Sequence, residues 1–362
     1  MKERTKLVRV LVVDDSAFMR RLLSDLLEAS GQIEVVGIAR NGIDAVAKNQ
    51  RLAPDVITLD VEMPEMDGLT ALTELMRTRP VPVVMLSSLT QGGARETLEA
   101  LSRGAVDFIG KPDSPRQVST GDLRQEIIDK VLQAAEVEVG KLAPYPQPAP
   151  APRAALPPVT TRSSPATVGE VRVVAIGTST GGPRALQEVV GRLQADGKTA
   201  YLVVQHMPKG FTRTLAERLD GLSALTVREA ADGLIEPDHV YVAPGDYHLT
   251  TQLVGGRPHL RLTQTAPVNG HRPAVDVLFH SLAEQPGLCK VAVVLTGMGT
   301  DGAKGLAALK AVGASTIAED AATAVIFGMP KAAITTGAVD RVVSLQQVAE
   351  AISLGLAGER EC

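Results

Sequence analysis

Two α/β domains separated by a proline-rich stretch are what this chain predicts, and three observations predict them. Short Val- and Ile-rich runs alternate with amphipathic segments through the first 135 residues. Eight prolines then fall between Pro144 and Pro165. From Val171 the alternation of apolar run and amphipathic segment resumes. The expected organisation is a doubly wound five-stranded domain at 1–135, a Pro-rich linker at 136–168 and an α/β, Rossmann-like domain at 169–362.

In the first domain the apolar runs are Val8–Val13, Ile33–Ile38, Val56–Leu59, Val81–Leu86 and Val106–Ile109. They lack polar alternation, as strands of a parallel sheet covered on both faces do. Helical patterns near 17–29, 43–51, 68–78, 94–103 and 122–135 supply the cover. The linker cannot bury a core and reads as a semi-extended tether, with a recognition ligand as the alternative. Beyond it, strands are expected at Val171–Ile176, Tyr201–Val204, Val240–Ala243, His259–Leu262, Val291–Leu295, Ala314–Ile317 and Val339–Val343. Helices are expected at 183–194, 274–284, 303–311 and 345–356, with an antiparallel portion around 240–262.

Composition narrows the function classes. Charged residues make up 22% and the net charge is −4, which gives no electrostatic reason for nucleic acid or an anionic membrane as partner. Aromatic residues are 2% with no Trp, so stacking platforms for single strands are lacking. Two cysteines, Cys289 and Cys362, make neither a disulfide framework nor a metal cluster. The N-terminus is charged, and no apolar run reaches the roughly 18 residues a span requires. A cytoplasmic protein without direct membrane insertion is expected.

The first domain gathers an acidic pocket. Asp14 and Asp15 end the first strand, Asp60 ends the third, Ser87 the fourth and Lys111 the fifth. Each alone reads as a strand-end polar cap. Together, three carboxylates at one sheet edge call for a hard divalent cation, Mg²⁺. A hydroxyl and an ammonium beside them suit a phosphoryl group carried on one carboxylate. The segments VLVVDDS, DVITLDVEMPEMDG, VVMLSS and DFIGKP resemble the two-component response-regulator receiver family over roughly 7–130. That resemblance implies Asp60 as phosphoacceptor and Asp14, Asp15 and Asp60, with the carbonyl of Glu62, around Mg²⁺. It also implies Ser87, Phe108 and Lys111 as receiver switch residues, and a cis bond before Pro112.

In the second domain, Val173 to Pro183 reads as strand, small-residue turn and helix start, with Pro183 at the first helical position. Ser179 would project from the turn beside backbone N–H groups, as a nucleophile attacking a carbonyl requires. Its G-T-S-T-G setting satisfies a nucleophile-elbow pattern that is weak alone; a phosphate-binding turn is the bland alternative. All six histidines lie in this domain. His206 follows the next strand and is the candidate base. His239, His248 and His259 read as surface polar residues, His271 as a possible substrate contact and His280 as structural. Asp301, in the Gly-rich turn of VVLTGMGTDGAKG, is alone more often a helix cap. After a strand, with Ser179 and His206, it reads as the third member of a triad. The same turn offers a backbone oxyanion donor at Met298. The order Ser, His, Asp differs from that of α/β-hydrolases, which would need Asp232, Asp238 or Asp246 with His271 or His280.

The segments AIGTSTGGP, VVQHMP, APGDYHL, NGHRPAVDVLF and VVLTGMGTDGAKG resemble the catalytic domain of the chemotaxis protein-glutamate methylesterase family over about 171–355. The resemblance implies Ser179, His206 and Asp301 as triad and Met298 as oxyanion donor, with no cofactor for the ester chemistry. It implies hydrolysis of glutamate γ-methyl esters on methylated chemoreceptor cytoplasmic domains, and deamidation of receptor glutamines. A chemosensory histidine kinase would be phosphodonor, relieving inhibition by the receiver, and the chain would be a monomer. The competing reading is a non-enzymatic response regulator whose second domain only binds a partner.

Overall fold

A computed structural model describes residues 7–88, 90–111, 121–142 and 171–358. The chain divides into two compact units, Met1–Tyr145 and Pro146–Cys362. Of the predicted linker, 136–142 are described, and Val139–Leu142 forms a 3-10 turn with Leu142 buried. Residues 143–168 and the bond to Pro112 lie outside the described residues.

The first unit has five parallel strands, β1 (Val8–Val13), β2 (Ile33–Ala39), β3 (Val56–Asp60), β4 (Val83–Ser87) and β5 (Asp107–Gly110), in the order β2-β1-β3-β4-β5. Helices α1 (Ala17–Glu28), α2 (Gly42–Leu52), α3 (Gly68–Thr78), α4 (Gln91–Ser102) and α5 (Gly121–Ala135) alternate with them. Short polar side chains start the helices. Ser16, Asn41, Asp67 and Thr90 each accept the amide that the first turn leaves unpaired. The chain reverses direction across the sheet between β1 and β3, so the strand ends bearing Asp14 and Asp60 flank the switch point.

The second unit is built on seven parallel strands in the order β15-β14-β13-β6-β7-β10-β8. These are β6 (Arg172–Thr178), β7 (Thr199–Gln205), β8 (Thr226–Glu229), β10 (His239–Val242), β13 (Cys289–Val294), β14 (Ser315–Glu319) and β15 (Arg341–Val343). Helices α6 (Gly182–Val190), α7 (Phe211–Asp220), α8 (Val275–Ala283), α9 (Ala303–Ala311), α10 (Met329–Thr335) and α11 (Val348–Gly358) complete it. A small antiparallel sheet holds β9 (Gly233–Leu234), β11 (His248–Val254) and β12 (Arg257–Thr263). The antiparallel portion thus consists of β9, β11 and β12, and β10, expected within it, is a parallel member of the main sheet. α6 ends at Val190, short of the expected 194, and Pro183 is its second residue. None of the described helices is long and apolar enough to cross a membrane.

β6 lies between β7 and β13, and the chain turns outward in opposite directions from it. The crevice beyond the carboxyl ends of β13, β6 and β7 is therefore the switch point of this sheet. The core beneath it is aliphatic: Val173, Ala175, Leu202, Val204, Val294, Leu278 and Leu306 are fully buried.

Candidate active site

Three neighbouring strand ends deliver Ser179, His206 and Asp301. Thr178 ends β6 beside Gln205, the last residue of β7, and Val294 ends β13 beside Gly177. Ser179 follows β6 directly, and its amide donates to the carbonyl of Thr296 beyond β13 at 3.0 Å. The Thr178 hydroxyl donates to the same carbonyl at 2.9 Å. Thr296 answers with its own hydroxyl, which donates to the carbonyl of Thr180 at 2.9 Å. The nucleophile turn is thus laced to the Gly-rich turn by buried bonds.

The turn is tight because two glycines let it be. A methyl group on Gly182 would sit 2.0 Å from Gln205 Oε1 and 2.4 Å from Thr178 Oγ1. Gly181, at φ 79°, takes a left-handed conformation before the helix. On the facing turn, a methyl on Gly297 would lie 2.8 Å from Ser179 Cβ. The backbone leading into Met298 therefore packs against Ser179, the position an oxyanion donor would need.

His206 Nε2 and Asp301 Oδ2 are 2.8 Å apart, both residues being nearly buried. Asp301 accepts more than this bond. Val275 N donates to Oδ2 at 2.6 Å and Asp276 N to Oδ1 at 3.1 Å, and these are the first two amides of α8. The capping role that sequence assigns to such an aspartate falls on a helix remote in the chain, since Gly302 caps α9. Burial pushes the Asp301 carboxyl up, but the His206 bond and charge and the α8 amides outweigh it and hold the pKa at about 2. Asp301 is an anion and accepts the Nε2 proton of His206. The other ring nitrogen, Nδ1, is buried and makes no hydrogen bond, so its lone pair is the available base. Ser179 and His206 are not bonded to each other in this state, as is common before substrate draws a site together.

Gln205, Asn269 and His271 adjoin these residues, and of the three the sequence singled out only His271. Gln205 Nε2 donates to the carbonyls of Ser179 (3.0 Å) and His206 (3.1 Å). His271 stacks on His206 with ring centroids 3.7 Å apart, so the structure places the residue expected at substrate against the base itself. Asn269 Nδ2 reaches Asp301 Oδ1 at 2.9 Å and Asp276 Oδ2 at 3.1 Å. The expectation that His248 is a surface residue is wrong: it is fully buried, donating from Nε2 to Ala266 O and accepting at Nδ1 from Ala274 N. Its place at the start of β11, under the chain that bends into α8, removes it from solvent. His259 is in β12 and half-buried, His239 opens β10, and His280 is exposed on α8. The Asp–His pairs an α/β-hydrolase would need do not form, since Asp232 bonds Arg261 and Leu262, Asp238 bonds the Asp196 turn, and Asp246 bonds Arg272.

In the first unit, Asp14, Asp15 and Asp60 place carboxylate oxygens within 4.8 Å of one another, with Asp14 and Asp60 buried and Asp15 exposed. Lys111 Nζ lies 2.7 Å from Asp60 and 3.1 Å from Asp14. Burial drives the Asp60 pKa up to about 6 against the opposing pull of Lys111. Burial would lower the Lys111 pKa, but its bonds to Asp60 and Asp14 raise it on balance. The Glu62 amide donates to Asp60 Oδ1 at 3.3 Å. Ser87 is buried and its hydroxyl bonds the Gly93 carbonyl at the start of α4 (3.1 Å). Phe108 is buried with Lys130 Nζ 5.0 Å from its ring centroid. An all-oxygen set of three carboxylates, two of them buried with one ammonium between them, fits a hard divalent cation.

Comparison with known proteins finds two family models. One described as CheB methylesterase matches residues 174–352, and one described as response regulator receiver domain matches residues 10–120. A protein-glutamate methylesterase/protein-glutamine glutaminase of Geobacillus kaustophilus is 49% identical over 349 residues, covering 96% of this chain and 98% of that protein. One from Pyrococcus abyssi is 46% identical over 351 residues, covering 95% and 92%. Among solved structures, the Thermotoga maritima CheB methylesterase catalytic domain is 45% identical with a TM-score of 0.49, covering 51% of this chain and 98% of that one.

Proposed function

The chain belongs to the CheB methylesterase family, with a response regulator receiver domain ahead of the catalytic domain, and on that premise we propose how its own residues act. It is a phosphorylation-regulated protein-glutamate methylesterase/protein-glutamine glutaminase of chemotaxis. Its substrates are methyl-esterified glutamates, and specific glutamines, on the cytoplasmic domains of chemoreceptors. A chemosensory histidine kinase supplies the phosphoryl group.

The observation that carries the residue assignment is the buried His206–Asp301 pair, with Nδ1 of the imidazole left for a proton, one strand away from Ser179. Ser179 Oγ attacks the γ-carbonyl carbon while His206 Nδ1 takes the hydroxyl proton. The carbonyl oxygen gains negative charge at the Ser179 and Met298 turns, where the Met298 N–H donates to it. As the C–O bond of the ester breaks, His206 passes the proton to the leaving methoxide oxygen, releasing methanol; for a glutamine the C–N bond breaks and the leaving nitrogen takes the proton, releasing ammonia. Water, activated by the same nitrogen, hydrolyses the γ-glutamyl-serine ester. Asp301 holds the Nε2–H tautomer and stabilises the imidazolium formed in each step. Both substrates pass through one acyl intermediate, so one triad serves both.

In the receiver, Asp60 accepts the phosphoryl group and Lys111 pairs with it. Asp14, Asp15, Asp60 and the carbonyl of Glu62 would hold Mg²⁺, which neutralises phosphoryl oxygens when bound. Ser87 and Phe108 register the added charge and bias the receiver between two states.

Replacing Ser179 by Ala tests the assignment. Methanol release from methyl-esterified receptor and labelling by a fluorophosphonate should both disappear; turnover that survives rejects Ser179 as nucleophile.

A further inference from the structure

The segment from Ala266 to Ala274 is a strap fastened at both ends by one side chain. Fully buried His248 donates to Ala266 O at 3.1 Å and accepts from Ala274 N at 3.2 Å. At the tip, Val268 and His271 exchange both backbone bonds, at 3.0 and 2.9 Å. Asn269 and Gly270 between them have φ of 53° and 81°. That is an Asn-Gly turn of type I′, the two-residue loop that needs left-handed residues at both positions.

The turn aims the Asn269 amide between two buried carboxylates. Nδ2 is 2.9 Å from Asp301 Oδ1 and 3.1 Å from Asp276 Oδ2. Both neighbours only accept, so the nitrogen must face them. Asp276 is itself fixed, its Oδ1 accepting from Gly305 N at 2.8 Å. The two acids are 5% and 1% exposed, and both approach the same nitrogen. The Asn269 amide is thus the donor that lies between the two buried carboxyls.

We propose that Asn269 is a positioning residue for the triad: its amide separates Asp276 from Asp301 and holds the Asp301 carboxyl with Oδ2 on His206. Without that amide, two acceptor-only carboxyls would face each other and Asp301 would turn from the position in which Oδ2 meets His206. This rests on the triad reading given above.

The test uses the full chain treated with acetyl phosphate and assays methanol release from methyl-esterified receptor. Asn269→Gly keeps the turn, because glycine also adopts it, and deletes only the amide. We expect kcat to fall roughly tenfold or more with KM nearly unchanged. Adding Asp276→Asn, which removes the repelling charge, should restore most of the lost kcat. Asn269→Asp puts a third acid in the gap and serves if the glycine variant fails to fold; it should lose more, and Asp276→Asn should again recover part of the loss. Undiminished kcat in Asn269→Gly, or a loss that Asp276→Asn does not relieve, overturns the proposal. Asp301→Asn run alongside separates the two readings: if it too keeps full activity, the triad assignment has failed and not the role of Asn269.

Discussion

Gln205 binds the carbonyl of Ser179 and, through the same amide nitrogen, that of His206, so the two turns share one tie. Gln205 is 2% exposed, and nothing else joins these two turns through a single side chain among the described bonds. Gln205→Glu is nearly isosteric but sets an acidic oxygen against two carbonyl oxygens. Its cost should be about 1–3 kcal/mol of stability, as for a buried polar group stripped of its partner. Methanol release should fall further than the population of folded protein does. Thermal unfolding and activity measured on the same preparation check this; an unaltered kcat would show the tie to be dispensable.

Gly182→Ala places its methyl 2.0 Å from Gln205 Oε1, a contact no side-chain adjustment of the turn absorbs without moving that tie. It should destabilise the protein by about 1–3 kcal/mol, the usual cost of overpacking, and depress activity. Gly182 has no positive φ, so alanine at Gly221, also without one and with nothing closer than 3.5 Å to its added methyl, is the control. Equal effects at the two positions would remove the steric explanation.

Asp301→Asn should leave a folded protein whose kcat is lower by about 10³–10⁴, because the amide can present N–H to His206 and stabilise the wrong tautomer. The same residue makes an acid-linked contribution to stability. Its folded pKa of about 2 lies below the ordinary 3.8, so the contribution is present above pH 4 and is lost as pH falls from there through about 2. Unfolding midpoints measured over that window should drop more steeply for the wild type than for Asp301→Asn. Parallel curves would contradict it.

Asp60 has the opposite sign. Its folded pKa of about 6 exceeds 3.8, so burying it ionised costs stability at neutral pH, and that cost shrinks as pH falls from 7 toward 4. Asp60→Asn should therefore stabilise the receiver most at pH 7 in metal-free buffer and least near pH 4. Basal methanol release should persist while activation by acetyl phosphate is lost. Full activation in that variant would move the phosphoacceptor elsewhere.

Much of this arrangement is legible in the sequence. Strands buried on both faces carry continuous apolar runs, and the residue that ends each run stands at the sheet edge; that is how Asp14, Asp60, Ser179 and His206 declare themselves. Lys111 follows the same rule, whereas Asp301 lies six residues past its apolar run, in a Gly-rich turn. The strands β8, β9 and β11 and the helices α7 and α10 do not, because they are short or polar and their form is set by what they pack on. Asn269 carries a signal that could have been used, the Asn-Gly pair, but a turn motif does not say which carboxylate its side chain will meet. His248 misleads for a related reason. Between a turn and a half-polar strand it looks exposed, and only the long-range bonds to Ala266 and Ala274 show that both ring nitrogens are satisfied away from water.

Ser179 and His206 each stand one residue beyond the carboxyl ends of the adjacent parallel strands β6 and β7, and Asp301 stands in the turn beyond the neighbouring β13. The spacing of Ser179 and His206 is thereby inherited from the repeat of the sheet, while Asp301 is held in place by the first amides of α8. Warming the enzyme should not produce a folded but inactive form. Heat inactivation and loss of the β-sheet signal should be one event, with a common midpoint.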